Sequence, residues 1–141
     1  MTRPIPATHS QLDQLLTGLV DRVAEVNHAV VLSDDGLVVS RSTAFLRDDA
    51  ERLAATASGL VSLSKGVSMD FRGGPVRQAL IEMRNGYLII TAAGTGAHLA
   101  VLTHQGADVG VVAYQMNLLV KKIGEHLSAA PRGVVAADRG E

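Results

Sequence analysis

The sequence predicts an α+β fold in the order α-β-β-α-β-β-β-α, a five-stranded antiparallel sheet with one helix on one face and two on the other. Three observations carry that prediction. Three β-type runs follow one another between residues 75 and 103 with almost no spacer. Two further β-type runs flank Asp34-Asp35-Gly36. Three other segments repeat apolar residues at the 3–4 spacing of a helix that buries one stripe.

The first helix carries Leu12, Leu15, Leu16, Leu19, Val23 and Val26 on one stripe and Gln14, Asp21, Arg22 and Glu25 opposite it. Ser10 is its expected N-cap, with Asp13 three positions on as an approximate capping box. Ala29–Ser33 and Leu37–Arg41 then form a hairpin, because Asp-Gly between β-branched runs favours a tight turn. The second helix is expected over 47–68, opened by Asp48 and Glu51 and closed by Gly66. Its inward stripe is Ala50, Leu53, Ala54, Ala57, Leu60, Val61 and Ser64, and it is rich in small residues such as Ala55, Ser58, Gly59 and Ser62. Gly59 costs about 1 kcal/mol relative to alanine inside a helix. Close approach to a sheet or another helix would account for it, and so would simple tolerance.

Val76–Met83, Tyr87–Ala93 and Ala97–Thr103 make a meander joined by Asn85-Gly86 and Gly94-Thr95-Gly96. The last two runs are almost continuously apolar, as strands buried on both faces are. Arg77, Gln78 and Glu82 mark Val76–Met83 as an outer strand, whose unpaired N–H and C=O groups need charge, cover or a partner. A third helix, capped by Asp108, runs from Val109 to Leu127 on the stripe Val112, Ala113, Met116, Leu119, Val120 and Ile123, with Pro131 beyond its stop. Residues 9–128 form the expected domain, with 1–8 and 129–141 as flexible tails.

Composition excludes several classes. The chain of 141 residues is 47% apolar, so it can build a core, and its net charge of −1 lacks the footprint of a nucleic-acid binder. Cysteine is absent, which removes thiolate chemistry and fits a cytoplasmic location. No apolar stretch approaches the roughly 20 residues of a membrane span. Two phenylalanines and two tyrosines give no stacking platform.

No catalytic pattern survives its context. Ser62-Leu63-Ser64-Lys65 has the Ser-x-x-Lys spacing of penicillin-recognising enzymes but lies in a helix without the companion motifs. Gly94-x-Gly96 is followed by leucine at position 99, so it is no dinucleotide loop. The five histidines show no ligand spacing, and His98 and His104 sit at opposite ends of one strand. Asp34-Asp35 reads as a solvated turn. No catalytic residue, cofactor or metal is expected. What remains is surface, an outer strand and a small-residue helix.

Those residues resemble the Roadblock/dynein-light-chain family, whose fold is profilin-like. The likeness rests on Val30-Val31-Leu32-Ser33-Asp34-Asp35-Gly36, on Gly74-Pro75-Val76, Ile81-Glu82-Met83 and Gly86-Tyr87-Leu88-Ile89-Ile90, and on the helix Val109–Leu127. Stand-alone bacterial members are the most similar, particularly the actinobacterial type that accompanies a sensor kinase and a small Ras-like GTPase. The resemblance implies a non-enzymatic homodimer joined through Val76, Arg77, Gln78, Ala79, Leu80, Ile81 and Glu82 and through Ala54, Ala55, Ser58 and Ser62. It implies a small-GTPase partner met by Arg52, Ser58, Ser62 and Lys65, and recruitment to the membrane through partners. The rival readings are a dimeric scaffold that joins a sensor kinase to other proteins, and a small-ligand sensor needing a concave pocket.

Overall fold

The computed structural model describes the backbone of residues 5–138 and the side chains of residues 11–128. Helix α1 already begins at Ile5, so Ser10 lies within it and is not its cap, and the expected tails are helical over 5–8 and 129–138, while 1–4 and 139–141 lie outside the described residues. The elements are α1 (Ile5–Arg22), β1 (Val26–Ser33), β2 (Val38–Arg41), α2 (Arg47–Asp70), β3 (Gln78–Met83), β4 (Gly86–Ala92), β5 (Ala97–Thr103) and α3 (Val109–Asp138). All five strands join in one antiparallel sheet of order β2-β1-β5-β4-β3. The predicted element order and fold class are those observed.

Helices α1 and α3 share one face. Leu12, Leu16 and Leu19 of α1 and Val112, Met116 and Ile123 of α3 close over Ala29, Val31, Ile89, Leu99 and Val101. Helix α2 alone covers the other face, setting Ala50, Ala54, Ala57 and Val61 on Val30, Leu32, Leu88, Ile90 and Ala100. The middle strands β1, β5 and β4 therefore lie between two apolar layers, which is why they read as near-continuous apolar runs.

Several boundaries differ from the sequence reading, each for a local reason. α2 runs past Gly66, because a helix stops where the chain turns left-handed and not wherever glycine occurs. That residue is Arg72 (φ 57°), and the Gly73 N–H closes on the Ser68 carbonyl at 2.9 Å, the long bond of a Schellman stop. At its start Leu46 supplies no side-chain cap. Glu51 instead pairs with Arg47 at 3.4 Å, so the expected Asp48–Glu51 box does not form. Asp13 is likewise taken up by β2, accepting a hydrogen bond from Ser40 Oγ. α3 continues through Pro131 to Asp138. An interior proline costs a helix about 3 kcal/mol, and Ala129, Ala130, Ala136 and Ala137 around it, the strongest helix formers, offset part of that cost. At its start Asp108 caps as predicted, its Oδ1 accepting the Val111 N–H at 3.2 Å.

The β3–β4 turn also shifts by one residue. Met83 pairs with Gly86, so the loop is Arg84-Asn85, and Gly86 already belongs to β4. Glycine is needed there for closeness, since a Cβ would overlap the carbonyl oxygen of Thr103. In the β1–β2 hairpin Gly36 takes the left-handed position (φ 86°) and its N–H closes on the Ser33 carbonyl at 2.9 Å.

Candidate interaction surface

β3 ends the sheet, and among the described residues nothing pairs with its outer side. In a two-residue hairpin the residues flanking the loop exchange backbone hydrogen bonds, and the pairing then alternates. Counting back from Met83, the residues Gln78, Leu80 and Glu82 turn their N–H and C=O groups outward. Leu80 and Met83 are each 47% exposed, while Ala79 and Ile81 pack partly under α2. Val76 and Arg77 precede the strand, and the Arg77 carbonyl is held by Thr91 Oγ1 at 3.1 Å, which fixes the approach to the edge.

The outer side of α2 continues this surface. Leu63 and Val67 on α2 and Phe71 at its C-cap, spaced four apart, are 76%, 62% and 77% exposed, and Met69, on another side of the last turn, is 80% exposed. Contiguous apolar exposure of this kind marks an interaction site rather than ordinary scatter. Between the end of α2 and the start of β3 lies an open groove of about 840 Å³ whose walls include Ser64, Val67, Phe71, Pro75, Val76 and Gln78. A Cβ at Gly59 or Gly66 would meet nothing within 4 Å. Close packing inside this chain therefore does not explain either glycine.

The residues proposed from sequence divide into groups. Ala55, Ser62 and Lys65 are exposed on α2, as is Arg52, which pairs with Asp49. Ala54 is fully buried against the sheet and belongs to the core, so no second chain can reach it. Ser58 is half-buried and donates to the Asp34 carbonyl at 2.8 Å, tying α2 to the β1–β2 turn. Leu63, Val67, Met69 and Phe71 were not singled out by sequence. The i, i+4 spacing of Leu63, Val67 and Phe71 was the available signal, and it was hidden by placing Phe71 in the loop after the helix.

One titratable group sits beneath this surface. His98 on β5 is 15% exposed, and its Nδ1 lies 3.5 Å from Asp34 Oδ1. Burial holds its imidazole below the usual histidine range, the Asp34 carboxylate draws it back up, and the Lys65 ammonium pushes it further down. Ser64 Oγ is spent on the Val61 carbonyl at 2.7 Å. Ser62 and Lys65, the two ends of the Ser-x-x-Lys spacing, are both exposed on the surface of α2. Among the described residues no three His, Asp or Glu side chains gather as metal ligands, and no helix is long and apolar enough to cross a membrane.

The sequence model of the family described as Roadblock/LC7 domain matches residues 12–103. The chain belongs to the Roadblock/LC7 family. A Roadblock/LC7 domain from Streptomyces avermitilis is 77% identical, over 81% of this chain and 99% of that one, with a TM-score of 0.69. A second domain of that description from the same organism is 43% identical over 82% and 97% of the two chains, with a TM-score of 0.78. MglB of Myxococcus xanthus shares the fold at 14% identity, over 86% and 90%, with a TM-score of 0.78. No curated protein matches the chain. Within this Roadblock/LC7 chain the span of the match closes with β5, so it includes both the β3 edge and all of α2.

Proposed function

We propose that this Roadblock/LC7 chain is a non-enzymatic homodimeric regulator of a small Ras-like GTPase in a bacterial signalling system. Two copies join β3 to β3 antiparallel, making one continuous sheet, and lay their α2 helices side by side. The observation that carries the reading is the continuity of an unpaired edge with an exposed apolar helix side. Leu80 and Met83 lie on the first, and Leu63, Val67 and Phe71 on the second. Each half would satisfy the other's outward N–H and C=O groups and cover its apolar side chains. Gly59 and Gly66, with open space before them, let two helices approach closely. Arg52, Ser62 and Lys65 then face the GTPase from the paired helices.

The test mixes the protein with the small GTPase encoded beside it, loaded with GDP or with a GTP analogue, and measures binding and hydrolysis. Nucleotide-dependent binding with altered hydrolysis is the expected result. Binding that ignores the nucleotide, with hydrolysis unchanged, would replace the regulator by a scaffold, for instance one serving a sensor kinase. Absence of binding in both states would end the GTPase reading. The dimer is tested separately by light scattering of Leu80→Pro, which removes an N–H that the β3–β4 ladder does not use. A folded monomer is expected. An undisturbed dimer contradicts the β3 pairing.

A further inference from the structure

The sheet has a second open edge. β2 lies at the end opposite β3, and among the described residues nothing pairs with its outer side. The Ser42 N–H is spent on the Ala29 carbonyl at 2.9 Å, so by alternation Arg41 turns its N–H and C=O away from β1. A bulge between the Val31 and Leu32 pairings keeps β2 to four residues, Val38–Arg41. That length suits a short extended segment rather than a whole second sheet.

Beside this edge runs an open groove of about 760 Å³ between β2 and the first turns of α2, lined by Leu37, Val38, Arg41, Arg47 and Glu51. Leu37 in its wall is 65% exposed, and Leu46, which precedes Arg47 in the chain, is 68% exposed. Arg41 gives Nη1 to the Phe45 carbonyl, which aims its guanidinium along the groove and leaves its other donors unspent on that bond. Arg47 is 79% exposed and pairs with Glu51 at 3.4 Å. The lining therefore holds two guanidiniums and one carboxylate. A second copy of β2 would bring the same two guanidiniums and no surplus carboxylate, so it offers the groove no charge complement. A strand whose alternate side chains are carboxylates and aliphatics meets both the charge and the exposed leucines.

We propose that the β2 edge takes up an extended acidic peptide segment of another protein by strand addition, with its carboxylates on Arg41 and Arg47 and its apolar side chains against Leu37 and Val38. Main-chain hydrogen bonds to the edge fix the register, and the guanidiniums select the acidic sequence. The site lies four strand positions away from β3 and does not rest on the dimer or GTPase reading.

The probe is a fluorescein-labelled peptide alternating valine and glutamate, followed by anisotropy and by backbone amide shifts. Saturable binding with shifts at Val38–Arg41 is expected, weakened about tenfold by Arg47→Ala, the loss equivalent to one charge-assisted contact. Arg47 is a surface residue, so that variant keeps its fold, and its melting curve verifies this. The same peptide N-methylated at alternate residues cannot donate along one edge and should bind at least about tenfold more weakly. Absence of binding, equal binding of the N-methylated peptide or of a valine–lysine peptide, or shifts confined to β3 would each overturn the proposal. Retained binding by the monomeric Leu80→Pro variant supports it independently of the pairing at β3.

Discussion

Replacing Gly86 by alanine tests whether this glycine serves a turn or a close approach. The added Cβ would lie inside the contact radius of the Thr103 carbonyl oxygen and 3.1 Å from its carbonyl carbon. Both clashing atoms are backbone of a buried strand, so the start of β4 must move away from β5. The Tyr87 N–H then loses Thr103 Oγ1, now at 3.1 Å, and the adjacent Leu88–Leu102 pairing opens. A lost buried donor costs about 1–3 kcal/mol and overpacking of this kind about 1–3 kcal/mol, so roughly 2–6 kcal/mol is expected in total. For a domain of this size that lowers the melting temperature by roughly 6–24 °C. Urea unfolding followed by circular dichroism measures it. Gly86→Asn separates the two explanations. Asparagine tolerates the left-handed region near φ +57°, whereas Gly86 sits at 157°. If closeness governs, asparagine is no better than alanine. Rescue by asparagine, or a loss below about 1 kcal/mol for alanine, would refute the argument.

Arg72→Gly should stabilise by about 1 kcal/mol, because Arg72 holds φ 57° at the stop of α2, and an unchanged urea midpoint would contradict this. Gly124→Ala places its Cβ 3.6 Å from Gly94 Cα, an ordinary contact, and should gain up to about 1 kcal/mol in helix propensity. Gly94→Ala, at φ +83° and 3.1 Å from Gly124 Cα, should destabilise by about 1–2 kcal/mol in the same assay. Gly59→Ala should raise the stability of the separated chain by about 1 kcal/mol yet weaken self-association measured by sedimentation. Because His98 is held below its unfolded value of about 6.5, the unfolded chain binds the proton first as pH falls. Its contribution to stability is full above pH 6.5 and is lost below it. Denaturant midpoints should therefore drop between pH 7 and 5, less steeply in His98→Gln, and more steeply in Asp34→Asn, which removes the carboxylate that raises it.

Much of the fold was legible because the meander announces itself. β5 begins where the sequence places it, at Ala97, since Gly94 and Gly96 take φ +83° and +79° and force the corner before it. The centre of the sheet was readable for the same reason that it is buried, as apolar runs leave no room for a wet face. Helix ends were less legible. Gly66 looks like a stop, but stopping is decided by which residue turns left-handed, and an arginine does so at position 72. Reading Met69 onward as loop set Phe71 apart from Leu63 and Val67, although at the C-cap of α2 it continues their row. Ala54 could not be assigned from spacing, since alanine suits a core and an exposed contact equally. The β2 bulge leaves no mark in the sequence, because it adds one residue without changing composition.

One helix on a five-stranded sheet leaves an arithmetic remainder. Five strands spaced about 4.8 Å apart span roughly 20 Å, and a helix with its side chains is about 10–12 Å wide. The layer formed by α2 is therefore about half a layer, whereas α1 and α3 together complete the opposite one. In the proposed dimer a neighbour lying alongside α2 would supply what is missing, and the melting temperature would then rise with protein concentration.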